Sequence, residues 1–185
     1  MKHASNREFF AYWDEKRGGA RAPDRSEIEP EAVRELLGDI FVLSYDAAAG
    51  YPFRVAGTRV CALLGCDLKD RSFSALFGAE NRREIQDIIA GVAEEMLPAV
   101  AGITATSENG SPAHLELLLL PFNNRAHTPL SLTGLLAPFD GAHSVLRDFK
   151  LTSWRYLHQQ TERLLPRALR KLKVARGFMV YEGLG

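Results

Sequence analysis

Residues 53–77 decide the fold, and they read FRVAGTRVCALLGCDLKDRSFSALF. The first residues alternate as in a strand, and after Gly57 a short helix over 59–64 is predicted, which Gly65 ends. The pattern over 67–77 is typical of irregular helical turns. The residues expected to point inward there are Leu68, Phe73, Leu76 and Phe77. A strand that leads into a short helix and then into buried turns indicates a helical wall packed on a sheet.

The residues before this stretch predict a β-hairpin. Residues 40–45 are a compact run of β-forming residues, and the turn sequence DAAAG separates them from a second strand at 51–56. Ahead of the hairpin, Pro30 is typical of a first helical position and predicts a small helix over 30–37.

The residues after the stretch predict one longer helix and three strands. Asn81 and Glu84 have capping-box spacing, and an apolar stripe follows them over 82–96. Strands are expected at 99–106, 113–122 and 130–137, with the turn sequences ENGSP and NNRAHTP between them. The chain therefore predicts an α+β fold: a five-stranded antiparallel sheet with helices on one face.

One of these strands contains four consecutive leucines, Leu117 to Leu120, and shows no polar alternation. Both of its faces should therefore be buried. The mid-chain helices can cover one face. The other needs a second cover, and a predicted N-terminal helix over 6–17 is the candidate. If that helix comes from a second subunit the protein is a dimer, and if it folds back on its own sheet a monomer is possible.

The aromatic residues of this N-terminal helix are the predicted surface for a second copy or a partner. They are Phe9, Phe10, Tyr12 and Trp13.

Composition narrows the class of protein. The 185 residues are 46% hydrophobic and 25% charged, which is ordinary for a globular domain. Lys plus Arg and Asp plus Glu both number 23, so no overall charge favours nucleic acid or a membrane. With no signal-peptide pattern and no apolar run of roughly 20 residues, the two cysteines are expected to be free thiols in a reducing cytoplasm.

The order of these elements resembles that of a PAS domain. The residues that carry the resemblance are YWDEKRGGARAPDRSEIEPEAVRELLGDIFVL (12–43), FRVAGTRVCALLG (53–65) and LELLLLPF (115–122), followed by Gly134. More narrowly, the chain is similar to an alphaproteobacterial PAS-like family formerly listed as a domain of unknown function. The resemblance spans roughly residues 9–140. It implies a stand-alone module that senses a small molecule, light or redox state, or that mediates protein contacts, often as a dimer.

The resemblance also raises the question of a cofactor, and the sequence favours none. Light-sensing PAS domains trap flavin with a cysteine in an Asn-Cys-Arg-type motif, whereas Cys66 stands in Leu-Gly-Cys-Asp. Haem-binding members use a histidine in or near the long helix, and residues 80–96 contain none. Cys61 and Cys66 form a Cys-x4-Cys pair without further ligands, which is poor for zinc. Haem, flavin and zinc are therefore disfavoured, no metal site is expected, and both cysteines are interpreted as buried apolar residues.

A ligand pocket would lie between the helices and the sheet. Its candidate lining residues are Phe53, Val55, Val60, Leu64, Phe73, Phe77, Ile85, Ile88, Ile89, Leu117 and Leu119. The candidate polar anchors are Arg54, Thr104 and Glu116, with Thr106 and Thr133 also available. The alternative is that the apolar residues fill a solid core and that Arg54 and Glu116 form structural pairs.

Catalysis is not expected, because no nucleophile elbow, phosphate-binding loop, zinc-protease motif or dinucleotide fingerprint is present.

The C-terminal part is basic and lies outside the resemblance. Residues 163–176 read RLLPRALRKLKVAR and, as a helix, would place leucines on one side and cations on the other. Such a segment could bind nucleic acid, an anionic membrane or a partner, or it could be a solvated tail.

The sequence thus predicts an N-terminal helical flank (1–37), a PAS core (38–140) and a C-terminal extension (141–185). The predicted function is a cytoplasmic sensory or regulatory module. It binds a small apolar ligand or a protein partner and signals through dimerisation or docking. The alternative is a regulator that acts on nucleic acid or a membrane surface through residues 163–176.

Overall fold

The computed structural model describes residues 1–123, 129–140 and 144–157, and the main chain of 169–175 and 178–183. The helices are α1 (Ala4–Arg17), α2 (Thr58–Leu64) and α3 (Ala79–Glu94). The strands are β1 (Ile40–Ser44), β2 (Phe53–Ala56), β3 (Ala99–Ser107), β4 (Pro112–Pro121), β5 (Ser131–Pro138), β6 (Leu146–Tyr156), β7 (Leu169–Ala175) and β8 (Phe178–Gly183). Single 3₁₀ turns lie at Arg25–Glu27, Arg34–Leu36 and Ser74–Leu76.

Strands β1 to β6 form one antiparallel sheet in the order β2-β1-β5-β4-β3-β6, and β7 pairs with β8 in a separate hairpin. The predicted α+β fold is confirmed, and the first five strands lie where the sequence placed them. The sheet has a sixth strand that was not predicted, since β6 lies in the region expected to be an extension. The helix predicted over 30–37 is wrong: this segment forms turns and one 3₁₀ turn.

Side chains of β4 alternate between two apolar layers. Leu117 and Leu119 enter the layer under α2 and α3, which we call the inner face. Leu118 and Leu120 enter the layer under α1, the outer face. The prediction that both faces of this strand are buried is confirmed.

Helix α1 folds back on the sheet of its own chain. Phe9 and Trp13 are both 0% exposed, and Trp13 Nε1 donates a hydrogen bond of 2.9 Å to the oxygen of Pro121. The prediction that these two residues present a surface to a partner is therefore wrong, because the leucines of β4 and β5 take up that surface. Phe10 and Tyr12 remain half-buried.

Strand β2 contains a bulge that reverses the direction of one predicted pocket residue. Leu43 pairs with Phe53, whereas Val42 pairs with Val55, so Arg54 is an extra residue between two pairs. Phe53 is buried on the inner face, but Val55 is 55% exposed. Regular alternation would have put both residues on the inner face, so the prediction for Val55 is wrong.

An ion pair joins the segment before β1 to helix α2. The guanidinium of Arg59 donates from Nε and Nη2 to the two carboxylate oxygens of Asp39, at 2.8 and 2.7 Å. Nη2 also donates to the oxygen of Glu35 at 2.6 Å. A Cβ at Gly57 would overlap the main-chain oxygens of Leu37 and Gly38, so the close approach requires glycine. These contacts explain the residues found at positions 38–39 and 57–59, within the segments 12–43 and 53–65 quoted above.

Strand β6 is fastened to α3 by side chains that the sequence had assigned to helix capping. Asn81 Oδ1 accepts a hydrogen bond from the N–H of Leu151 (3.3 Å), and Glu84 accepts one from Trp154 Nε1 (2.7 Å). The Tyr156 hydroxyl lies where a Cβ at Gly91 would be. Helix α3 itself begins earlier, at Ala79 after Gly78.

In the basic tail, for which a helix or a solvated tail was considered, the structure contains a strand. Residues 169–175 form strand β7. Residues 178–183 supply the antiparallel pairing partner, and the register shifts between Lys171 and Lys173. Residues 163–168 and 176 lie outside the described residues, as do His127, His143 and His158. None of the described helices is long and apolar enough to cross a bilayer.

We predict that β6 unfolds cooperatively with the rest of the sheet. Phe149 is buried against Phe77, with ring centroids 6.1 Å apart. Phe149→Ala should lower the free energy of unfolding by about 3–5 kcal/mol. Phe139→Ala is the matched control, because that ring is 44% exposed. Urea denaturation of both variants measures the difference, and equal costs would contradict the prediction.

A second prediction concerns alkaline pH. Tyr45 donates a hydrogen bond to Glu94, and this bond, with burial second, raises the pKa of Tyr45 to about 12. An unfolded chain releases the phenolic proton near pH 10, so the folded state should lose stability as pH rises from about 10 to about 12.

Tyr45→Phe should weaken this alkaline loss, as measured by urea midpoints across a pH series. Some loss should remain, because burial also raises the pKa of Tyr51 and Tyr156. The same pH dependence in the variant and the unmodified chain would count against the assignment.

Candidate functional site

The structure brings most of the predicted pocket residues together on the inner face. The members of this buried cluster are Phe53, Val60, Leu64, Phe73, Phe77, Ile85, Ile88, Ile89, Leu117 and Leu119. They converge because the apolar stripe of α3 and the inward residues of β4 face each other across one layer.

Aromatic rings occupy the centre of this layer. The rings of Phe41, Phe53 and Phe73 lie 5.5 Å from one another in all three pairs. Phe77 continues the series at 5.7 Å from Phe73 and contacts Phe149 beyond it. These rings fill the centre of the inner layer with packed aromatic side chains.

The two cysteines are free and half-buried. Cys61 packs against the inner cluster, and its Sγ lies 4.0 Å from the oxygen of Ala56. Cys66 lies at the end of α2 and lines a cleft. Within the described ranges, no group of three or more His, Cys, Asp or Glu side chains could hold a metal ion.

That cleft, the inner cleft, has a volume of about 480 Å³ and lies where the inner layer meets β6. Its walls come from β2, the end of α2, the turns after α2 and the first half of β6. The lining residues are Phe53, Leu64, Cys66, Leu68, Arg71, Ser72, Ala75, Leu76, Leu146, Arg147, Asp148 and Phe149. Only Phe53 and Leu64 among them had been predicted to line a pocket.

The predicted polar anchors do not face the inner cluster. Thr104 pairs with His114 on the outer face, and Glu116 lies on the same face of β4. Arg54 is exposed at the bulge of β2. The prediction that these three side chains anchor a ligand among the apolar residues is therefore wrong in position, because β-strand alternation turns them away from that layer.

Glu116 instead holds the N-terminus of the chain. Its side chain is 5% exposed and accepts hydrogen bonds from the N–H of Lys2 (2.6 Å) and of His3 (3.0 Å). Asn6 Nδ2 donates to both Oε1 and the main-chain oxygen of Glu116, each at 3.1 Å. The carboxylate thus fastens the segment before α1 to strand β4 through charge-assisted hydrogen bonds. We call these contacts the Glu116 latch.

The latch contains one imperfection. Asn6 is fully buried, and its Oδ1 has no hydrogen-bond partner among the described residues. An unpaired buried acceptor costs roughly 1–3 kcal/mol, which partly offsets the hydrogen bonds that seat α1.

A second cleft, the outer cleft, lies beside the latch and has a volume of about 690 Å³. Strands β3, β4 and β6 form its floor, and Met1, Lys2 and Phe139 stand at its edge. Glu116 lines it, together with His114, Asp140 and Arg155. Sequence reasoning missed this site, because its edge combines the first residues of the chain with a strand that was not predicted.

The profile of a known domain family matches most of the chain. The sequence profile of the PAS domain family matches residues 1–137. No curated protein matches the chain.

The solved structures that are similar to the chain at low identity include the following three. A light-oxygen-voltage domain studied with a flavin analogue is 13% identical, with a TM-score of 0.47, over 60% of this chain and 84% of that one. The light-oxygen-voltage protein of Rhodobacter sphaeroides is 10% identical (TM-score 0.45; 62% and 70% covered). The PAS domain of an HTR-like protein from Haloarcula marismortui is 20% identical (TM-score 0.43; 59% and 90% covered). Similarity at this level says nothing about ligands.

We predict that the Glu116 latch controls the seating of α1. In Glu116→Gln, an NH₂ group replaces one of the two acceptor oxygens, so one of the N–H donors loses its partner. The free energy of unfolding should fall by about 1–3 kcal/mol, with faster amide exchange in α1. Glu108→Gln, in the exposed turn between β3 and β4, is the control. Unchanged exchange in α1 would show that the latch does not seat the helix.

Proposed function

Because the chain belongs to the PAS domain family, we propose that it is a sensory or regulatory module. It binds a small ligand or a protein partner and passes the response on through protein contacts, without a catalytic step. We include a cytoplasmic location in the proposal, in keeping with two free cysteines.

The Glu116 latch is the observation that carries the proposal. Residues 2, 3 and 6 reach the sheet through one buried carboxylate, and the same carboxylate lines the outer cleft. An occupant that competes for this carboxylate changes the seating of α1 as well. A change on the sheet is thereby coupled to a change in the helix that covers it.

We propose a second copy of the chain as the partner at α1 and the adjoining outer face. A two-fold contact uses the same patch on both copies, so charges on the patch can pair across the contact only if both signs are present. Lys2 and Arg155 supply the positive charges there and Asp140 a negative one. Phe139, 44% exposed, adds apolar surface at the cleft, and the half-buried Phe10 adds apolar surface on α1. Of the predicted interface residues, we keep Phe10 and Tyr12 as contacts to the second copy. We exclude Phe9 and Trp13, because both are fully buried.

We do not propose the alternative function through residues 163–176. Within that range the structure describes the main chain of residues 169–175, a strand, and it gives no observation that favours this function.

Sedimentation velocity across a concentration series tests the second-copy proposal. The unmodified chain should dimerise, and Phe10→Glu should weaken the dimer by at least about tenfold, or about 1.4 kcal/mol. Ala48→Glu adds the same charge in the exposed turn between β1 and β2 and should leave the dimer intact. Circular dichroism checks that both variants fold. A chain that stays monomeric, or a dimer that Phe10→Glu leaves unchanged, overturns this part of the proposal.

A further inference from the structure

The inner cleft combines an apolar floor with a cationic rim. Its floor is held in place by the core, since Phe53, Leu68, Leu146 and Phe149 are all buried. The volume of about 480 Å³ is within the usual size of small-molecule sites, about 300–1,000 Å³. An occupant can therefore bury an apolar body here without moving the rings at the centre of the inner layer.

Two exposed arginines stand at the rim. Arg147 Nη1 donates a hydrogen bond of 2.9 Å to the oxygen of Leu64, which holds its guanidinium at the end of α2. The main chain of Arg71 is fixed by the N–H of Phe53, which donates to its oxygen at 3.0 Å. Throughout the described part of the chain, no carboxylate lies within 4.0 Å of either guanidinium.

Asp148 is the one acid among the described lining residues, so the rim carries two positive charges and one negative charge. Guanidinium groups with free donors are well suited to a carboxylate, sulfonate or phosphate, which they bind through paired N–H groups.

One wall of the cleft lies outside the residues that the family profile matches. Residues 146–149 belong to β6, whereas the match ends at residue 137. This wall is fitted closely to α2, because a Cβ at Gly65 would lie 2.7 Å from Val145 Cγ2. The cleft is thus built jointly by the family core and the appended strand.

We propose that the inner cleft binds a small amphipathic anion, with its apolar body on the phenylalanine and leucine floor and its acidic group between Arg71 and Arg147. This inference rests on the proposed sensory function and names its ligand class. An occupant would contact the end of α2 and the start of β6 together, and so would stabilise the attachment of the appended strand to the core.

Calorimetric titration of the full chain with decanoate tests the proposal, with decanol and inorganic phosphate as matched probes. Decanoate should bind, and its amide chemical shift changes should fall on residues 64–76 and 146–149. Decanol lacks the charge and phosphate lacks the apolar body, so each should bind at least about tenfold more weakly. If either binds as tightly as decanoate, or if decanoate does not bind, the ligand class is wrong.

Variants locate the site. Arg71→Gln should weaken decanoate binding by about tenfold, whereas Arg83→Gln, which removes an exposed guanidinium on α3, should leave it unchanged. Ala75→Trp fills the cleft from its exposed edge and should abolish binding. Binding that survives Ala75→Trp, in a variant that circular dichroism shows to be folded, overturns the site. These outcomes are separate from the sedimentation test of Phe10→Glu, so the two proposals can fail independently.

Discussion

The four consecutive leucines of β4, Leu117 to Leu120, require apolar cover on both faces of one strand, and the rest of the molecule is arranged around that requirement. Helices α2 and α3 supply the cover on one side and α1 supplies it on the other. Either side left open would expose a broad apolar surface to water, at a cost of about 25 cal/mol for each Å². The N-terminal helix is therefore part of the folded unit and not an appendage to it.

Hydrophobic periodicity made α1, α3 and the first five strands predictable. The burial of Leu117 to Leu120 on both sides was also visible in the sequence, because no polar residue interrupts them. The bulge at Arg54 was not predictable, since one extra residue changes which side chains face inward without changing the composition of the strand. Strand β6 was missed because most of its side chains are exposed, which leaves only the sparse spacing of Leu146, Phe149 and Leu151 as a signal.

The apolar part of the candidate site was predictable, but the contacts of its polar residues were not. Its apolar residues converge as the amphipathic patterns required. The position of Glu116 between Leu115 and Leu117 already implied that its carboxylate faces away from the helical layer. Its partners were beyond prediction, because the N–H groups of Lys2 and His3 are more than 100 positions away in the chain. Local patterns carry no information about contacts of that range.

The Glu116 latch has a practical consequence for anyone who produces this protein. The latch holds the N–H groups of residues 2 and 3, and Met1 stands at the edge of the outer cleft. An affinity tag fused ahead of Met1 therefore begins beside the outer cleft, next to the face where we propose that a second copy binds. A tagged preparation and one without the tag are thus different samples of this surface, and their association should be compared.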